Sequence, residues 1–261
     1  MYTMPAVAKR EKPQRIADEL RRRIVSGRFA EGDRLGREPE LVERFGVSRP
    51  SLREALRILE AEGLISVVRG VQGGVVVHEP DHRLAARTAA LVLQARNVSL
   101  ADVHRARALL EPTVVRVVAS SRARRAAAAA LRRLCDDQTD LVQDPDGFAR
   151  ANLRFHERLV ALAGNLTLTI VAEMLNEIVS RAAVGKVAAR SSLATRRRGI
   201  RSQERLVSLI AAGKAAEAEA HWRAHMAAVG RIVLRQSRAI VDLSDHLEQV
   251  AVGQRRERRR R

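Results

Sequence analysis

The side chains able to do chemistry fall into two groups. In the C-terminal half, Asn152 and His156 stand four apart and so share one face of a helix. An amide oxygen and an imidazole placed this way can share a metal ion, and His225 is the next candidate ligand. A lone Asn–His pair on a helix is, however, more often a structural hydrogen bond than a metal site. His221 and His225 repeat the four-residue spacing, which also suits a surface pair. His156-Glu157 begins like a metalloprotease helix, but Val160 holds the place of the second histidine, so H-E-x-x-H fails. There is no G-x-S-x-G turn and no Cys/His nucleophile motif. In the N-terminal half, Arg49, Arg53 and Arg57 repeat at i, i+4 and i+8. Like charges in line oppose an isolated helix. A polyanion lying along that face would relieve the repulsion; the alternative is an ordinary solvated basic face.

The arginines belong to a segment with its own start and stop. Ser48 is a good N-cap, Pro50 sits in the first turn, and Gly63 ends the helix. Leu52, Ala55, Leu56 and Leu59 form its apolar stripe. Before it, Glu38 to Phe45 reads as a short helix closed by Gly46, with Val47 as a packing residue. Helix, tight turn, helix is the helix-turn-helix arrangement, whose second helix enters the major groove with its N-terminal end. Ser48, Arg49, Ser51 and Arg53 are the groove-facing residues on this reading. Leu64 to Val68 and Val75 to His78 flank a Gly-rich turn, Arg69 to Gly74, and read as a β-hairpin, a wing. Arg69 joins the DNA-facing set. The turn lacks the lysine of a nucleotide-binding loop.

Pro13 to Ser26 reads as a first helix with Ile16, Leu20 and Ile24 on one face, after a short, polar, loose Met1–Lys12. Phe29 to Leu35 reads as a turn. Glu79-Pro80-Asp81 is a linker, because proline bars a continuing helix or strand. Beyond it no strand-like alternation returns. Helices are expected over 83–96, 100–120, 122–143, 148–163, 166–189, 195–212 and 215–248, the last with a break near Gly230. Ser99 caps the second, with Asp102 in a capping-box position. Asp144-Pro145-Asp146-Gly147 reads as a turn. His104 and Trp222 read as packing or interface residues.

The chain has 261 residues, consistent with two domains, and nearly half are hydrophobic. Only 2% are aromatic, so the core must be built mainly of Leu, Val, Ile and Ala. The formal net charge of +18 favours nucleic acid or another anionic surface. Part of it lies in Arg255 to Arg261, a charge run read as a disordered tail. The single cysteine, Cys135, excludes a disulfide framework and a cysteine zinc cluster. No apolar run approaches the ~18 residues of a membrane span. With no signal-peptide core at the start, a cytoplasmic location is expected.

Residues 13–80, and LVERFGVSRPSLREALRILEAEGLI above all, resemble the winged helix-turn-helix of GntR-family bacterial transcription regulators. The family usually approaches its second helix through a Pro-Ser-Glu-Arg-Glu-Leu-like segment. Here Gly36-Arg37-Glu38-Pro39-Glu40-Leu41 puts Pro39 where a DNA-contacting arginine is common, with Arg37 as its substitute. The remainder resembles the FadR-like branch and its FCD ligand-sensing domain. The resemblance runs through Arg107-Ala-Leu-Leu-Glu111-Pro112, Asn152-Leu-Arg-Phe-His156, Ala163-Gly-Asn165 and Arg223-Ala-His225-Met226. It implies an effector pocket of Arg107, Asn152, His156, Gln203 and His225, with Arg107 gripping a carboxylate through its guanidinium fork. It also implies a divalent metal, zinc or nickel, on Asn152, His156 and His225. Gln203 replaces the family's further histidine and is a poor transition-metal ligand.

The expected fold is therefore mostly α: a winged helix-turn-helix with a small hairpin, followed by an all-α helical bundle. The expected layout is a flexible 1–12, a DNA-binding domain 13–78, a linker 79–82, an effector-binding and dimerisation domain 83–248 and a basic tail 249–261. The expected function is transcription regulation without catalysis, more commonly repression in this family. A homodimer would read a pseudo-palindromic double-stranded operator, because one recognition helix reads too few bases. The effector would be an organic acid or acyl compound. The alternatives are a metal-dependent enzyme with a winged-helix interaction module and a sequence-neutral DNA-coating protein.

Overall fold

The computed structural model describes the backbone of residues 7–68, 73–183 and 191–236, and side chains over 12–68, 73–181 and 191–231. The chain divides into two compact units, Met1–Leu84 and Ala85–Arg261. The first is built from α1 (Val7–Val25), β1 (Arg34–Gly36), α2 (Glu38–Phe45), α3 (Arg49–Ala61), β2 (Ile65–Val68) and β3 (Gly74–Val77). The three strands form one antiparallel sheet in the order β1-β3-β2, with Ile65 opposite Val77 and Val68 opposite Gly74. Ile16, Leu20 and Ile24 of α1 meet Leu41, the α3 stripe Leu52–Ala55–Leu56–Leu59, and Val75 and Val77 in a single core. Gly46 takes the left-handed conformation (φ 61°, ψ 38°) that ends α2 and lets α3 begin at Arg49.

Two details of this unit differ from the sequence reading. The first helix begins at Val7, so Pro13 lies inside it and residues 7–12 are helical. β1 is a strand where a plain turn is expected; three residues are too few to show alternation, and the partner β3 is about forty residues away. Glu31 accepts a hydrogen bond from the backbone of Glu79 (2.6 Å) and pairs with Nδ1 of His78 (2.8 Å), which ties the end of the hairpin back to the loop before β1.

Among the described residues seven further helices follow: α4 (His82–Ala95), α5 (Leu100–Ser120), α6 (Arg124–Asp140), α7 (Pro145–Ala161), α8 (Leu166–Ala183), α9 (Leu193–Ala211) and α10 (Ala215–Gln236). Ser99 and Ser192 cap α5 and α9 by accepting from Asp102 N (3.3 Å) and Thr195 N (3.2 Å). Asp144 caps α7 and accepts from Asp146 N (3.1 Å), so Asp-Pro-Asp-Gly is a helix start rather than a free turn. α10 runs unbroken through Gly230, whose missing side chain admits His104: a Cβ there would lie 3.2 Å from the imidazole. The main core of the second unit gathers Val115, Val118, Leu131, Phe155, Leu159, Leu206, Ile210 and Trp222. Cys135 lies within it, and burial pushes its thiol up to about 12, so it is an inert packing group. No helix among the described residues is long and apolar enough to cross a membrane.

Candidate functional site

α3 presents two opposed faces. Leu52, Ala55, Leu56 and Leu59 are buried, while Arg49, Arg53 and Arg57 are exposed. Ser48 caps the helix; its Oγ accepts from Ser51 N (3.4 Å) and meets Ser51 Oγ at 2.9 Å. Both hydroxyls thus sit at the N-terminal end, where unpaired backbone N–H groups favour an anion such as phosphate. Arg53 donates through Nε to Glu38 Oε1 of α2 (2.9 Å), a pair that spacing within α3 cannot reveal. Arg37 precedes α2, and its backbone N–H donates to Glu40 Oε2 (2.9 Å), leaving its side chain exposed. Arg69 lies outside the described residues.

In the helical unit, Glu111 of α5 is the centre of a buried network. Its Oε2 accepts from His156 Nδ1 (2.6 Å) and Trp222 Nε1 (2.9 Å), and its Oε1 accepts from Arg107 Nε (3.0 Å). All four side chains are almost fully buried. Burial opposes the Glu111 charge, but Arg107 and the hydrogen bonds from His156 and Trp222 hold its carboxyl below the usual carboxylate range. The Glu111–Arg107 pair is therefore ionised and mutually neutralised. Burial lowers the His156 pKa against the opposing pull of Glu111, with a further push down from Arg107; a neutral ring directs Nδ1–H at Glu111 and leaves the Nε2 lone pair open. His225 stacks on Trp222 (centroids 4.3 Å, planes 13° apart), and burial pushes it down to about 3. His104 gives its Nε2 to Met226 O (2.9 Å) and is likewise lowered by burial.

His156, from α7, belongs to this centre; Asn152, one turn earlier on the same helix, accepts through Oδ1 from Gln203 Nε2 of α9 (2.8 Å). Gln203 is completely buried, and its Oε1 has no hydrogen-bond partner. Arg107 Nη2 is likewise buried without one, although it lies 3.0 Å from Glu111. Nε is thus the nitrogen that donates to Glu111, and Nη2 adds only its charge. Arg107 borders a void of about 10 Å³ among Leu110, Val114, Val160 and Leu168, room for about one water. A wider cleft of about 540 Å³ opens between α9 and α10, with Arg198, Ser202, His225 and Arg231 on its walls. Sequence reasoning passed over Glu111 and Trp222 as site residues. The i, i+4 spacing of Arg107 and Glu111 was the available signal for the first.

The donors that the family resemblance assigns to a metal are two neutral imidazoles and an amide oxygen, and among the described residues no three His, Cys, Asp or Glu side chains converge to hold one. A dication on neutral donors keeps its full charge in a buried place, and the Glu111 carboxylate already accepts from three donors and is matched by Arg107. The donor set does not fit a bound transition metal.

The N-terminal region matches the model of bacterial regulatory proteins of the gntR family over residues 12–77, and the helical region matches the FCD domain over 102–228. The chain is 28% identical over 160 residues to the HTH-type transcriptional repressor NanR of Cronobacter sakazakii, a stretch covering 61% of each chain. It is 27% identical over 162 residues to the protein of that name from Enterobacter sp., again over 61% of each. The match thus spans about three fifths of these relatives' own length. Among solved structures, a Streptococcus agalactiae GntR shares the fold, with a TM-score of 0.61 at 21% identity, over 84% of this chain and 99% of that one. The helix with one basic and one core face and the three-stranded sheet thus lie in a gntR-family domain, and the helical unit carries an FCD domain.

Proposed function

We propose that the protein is a ligand-controlled, cytoplasmic transcription repressor that binds a pseudo-palindromic DNA operator as a homodimer. The observation that carries this reading is α3: its apolar face is wholly used in the core, and its N-terminal half offers Ser48, Arg49, Ser51 and Arg53 outward. Arg37 and Arg69 complete the contact set, and the net charge of +18 supplies the sequence-independent attraction to phosphate. Two-fold pairing supplies the second reading head. Leu109, Leu166 and Ile170 stand exposed on α5 and α8 and offer apolar surface for a partner protomer.

The effector is an organic acid or acyl compound, bound in the helical unit around Asn152, His156, Gln203 and His225. Arg107 reaches it only if the small void beside its guanidinium opens. Arg198 and Arg231, on the cleft that also has His225 in its wall, are alternative anion anchors. The effector shifts the two heads only through unequal affinity for their two arrangements. The rival reading, a metal-dependent hydrolase, would need three firm metal ligands and a general base, and the N-terminal match is to bacterial regulatory proteins. Selection of bound fragments from the host genome tests the reading. The expected result is a pseudo-palindromic motif that random DNA does not compete away. Fragments with no shared motif would indicate a sequence-neutral coating protein.

A further inference from the structure

We infer that the polar centre of the helical unit works without a metal ion, and that a hydrogen-bonded amide pair, Asn152 with Gln203, is what excludes one. This rests on the helical unit being the sensor, but it concerns only the chemistry of its centre. The amide oxygen of Asn152 would have to serve an ion, yet one of its two lone pairs already accepts from Gln203 Nε2 at 2.8 Å, which fixes its orientation. Breaking that bond would strand a donor on a side chain with no exposure at all. An ion held by His156, His225 and an amide would also keep its full double charge in a buried place. Glu111 cannot offset it. Its charge is matched by Arg107, and its oxygens already accept from Arg107, His156 and Trp222.

Half of a metal site nevertheless persists. His156 holds Nδ1–H on Glu111, the carboxylate–imidazole arrangement that orients a metal-binding ring, so its Nε2 lone pair points away from the carboxylate. The unpartnered Gln203 Oε1 adds a second buried acceptor. Lone pairs without a charged donor suit a hydroxyl or amino group of the effector, or a water, better than a dication. Two changes would convert the centre: Asn152→Asp supplies the missing charge, and Gln203→His supplies a further imidazole.

The test is metal retention. The full-length protein and the Asn152→Asp/Gln203→His variant are equilibrated with zinc or nickel chloride and desalted. Metal per chain is then measured by emission spectroscopy, beside the melting temperature with and without the ion. The wild-type protein is expected to retain no stoichiometric metal and to melt at an unchanged temperature. The double variant is expected to retain about one ion per chain and to melt higher with it, because an ion that binds only the folded state stabilises that state. Each single variant, followed by circular dichroism, separates a binding defect from a folding defect. A wild-type protein that keeps one ion per chain, and loses it in His225→Ala, overturns the inference. Equal retention by wild type and double variant, at any level, removes the role given to the amides. Operator selectivity is measured separately on chelator-treated protein, so a failure of the regulator reading would leave the metal result standing.

Discussion

At the scale of single residues, the same chemistry serves opposite ends in the two units. Arg49 and Arg53 are cations left outward, and Arg107 is a cation buried against a carboxylate. Arg49→Ala should cost about 1–3 kcal/mol of operator binding where its fork meets a base edge, with the melting temperature unchanged. Arg53 is held by Glu38, so Glu38→Ala should weaken operator binding through Arg53 alone and have no further effect in an Arg53→Ala background. Equal operator affinity of wild type and all these variants would mean that another face of α3 reads DNA. Glu111→Ala should destabilise by about 3–5 kcal/mol in urea melts, because it strands the Arg107 charge in the core. The buried imidazoles add a pH dependence. His225 is held near 3 when folded and has an ordinary value near 6.5 when unfolded. Below that ordinary value the unfolded chain binds the extra proton, so stability falls as pH drops from 6.5 toward 3, by up to about 1.4 kcal/mol per unit. His225→Asn should flatten that slope between pH 7 and 5; an unchanged slope would assign it to His104 and His156. The spacing of Asn152 and His156 put both on one face of α7, yet could not reveal the Gln203 hydrogen bond or the Glu111 network, which depend on α5, α7, α9 and α10 meeting.

At the scale of elements, what was legible had a local cause. Ser48 and Gly46 mark the helix-turn-helix because a cap and a left-handed residue act within a few positions. The α3 stripe and the hairpin strands follow from periods of 3.6 and 2. What was not legible had a distant cause. β1 exists because β3 offers it hydrogen bonds, and α10 passes straight through Gly230 because His104 needs the space. The start of α7 is the instructive case, since this helix carries Asn152 and His156 to the centre. Asp144-Pro-Asp-Gly has the composition of a turn, but Asp144 caps the helix and Gly147 is packed against its carboxylate. Asp144→Ala should cost about 1 kcal/mol, the usual worth of an N-cap. A Cβ on Gly147 would fall 2.3 Å from Asp144 Oδ2, so Gly147→Ala should also break the cap. The double variant should then cost less than the two single effects added together, because both act on one interaction. Additive effects in urea melts would show that Gly147 acts elsewhere.

At the scale of the whole molecule, charge is distributed unevenly along the chain. Arg255 to Arg261 hold six arginines and one glutamate, so their removal takes the formal charge from +18 to +13. The α3 surface would keep its arginines. Non-specific affinity comes almost wholly from displaced counterions, and every phosphate that the protein ceases to neutralise reduces the salt slope by about 0.9. Deleting Arg255–Arg261 should therefore weaken binding to random DNA and reduce the magnitude of its log–log salt slope by up to about 5 if every arginine in the tail meets a phosphate. Operator binding should weaken by a similar electrostatic share, because phosphate contacts position without reading sequence. The ratio of operator to random affinity should thus hold or rise. Titrations of both DNAs from low to physiological salt read all three quantities together. A collapse of operator binding with random-DNA binding untouched would place sequence reading in the tail and take it away from α3.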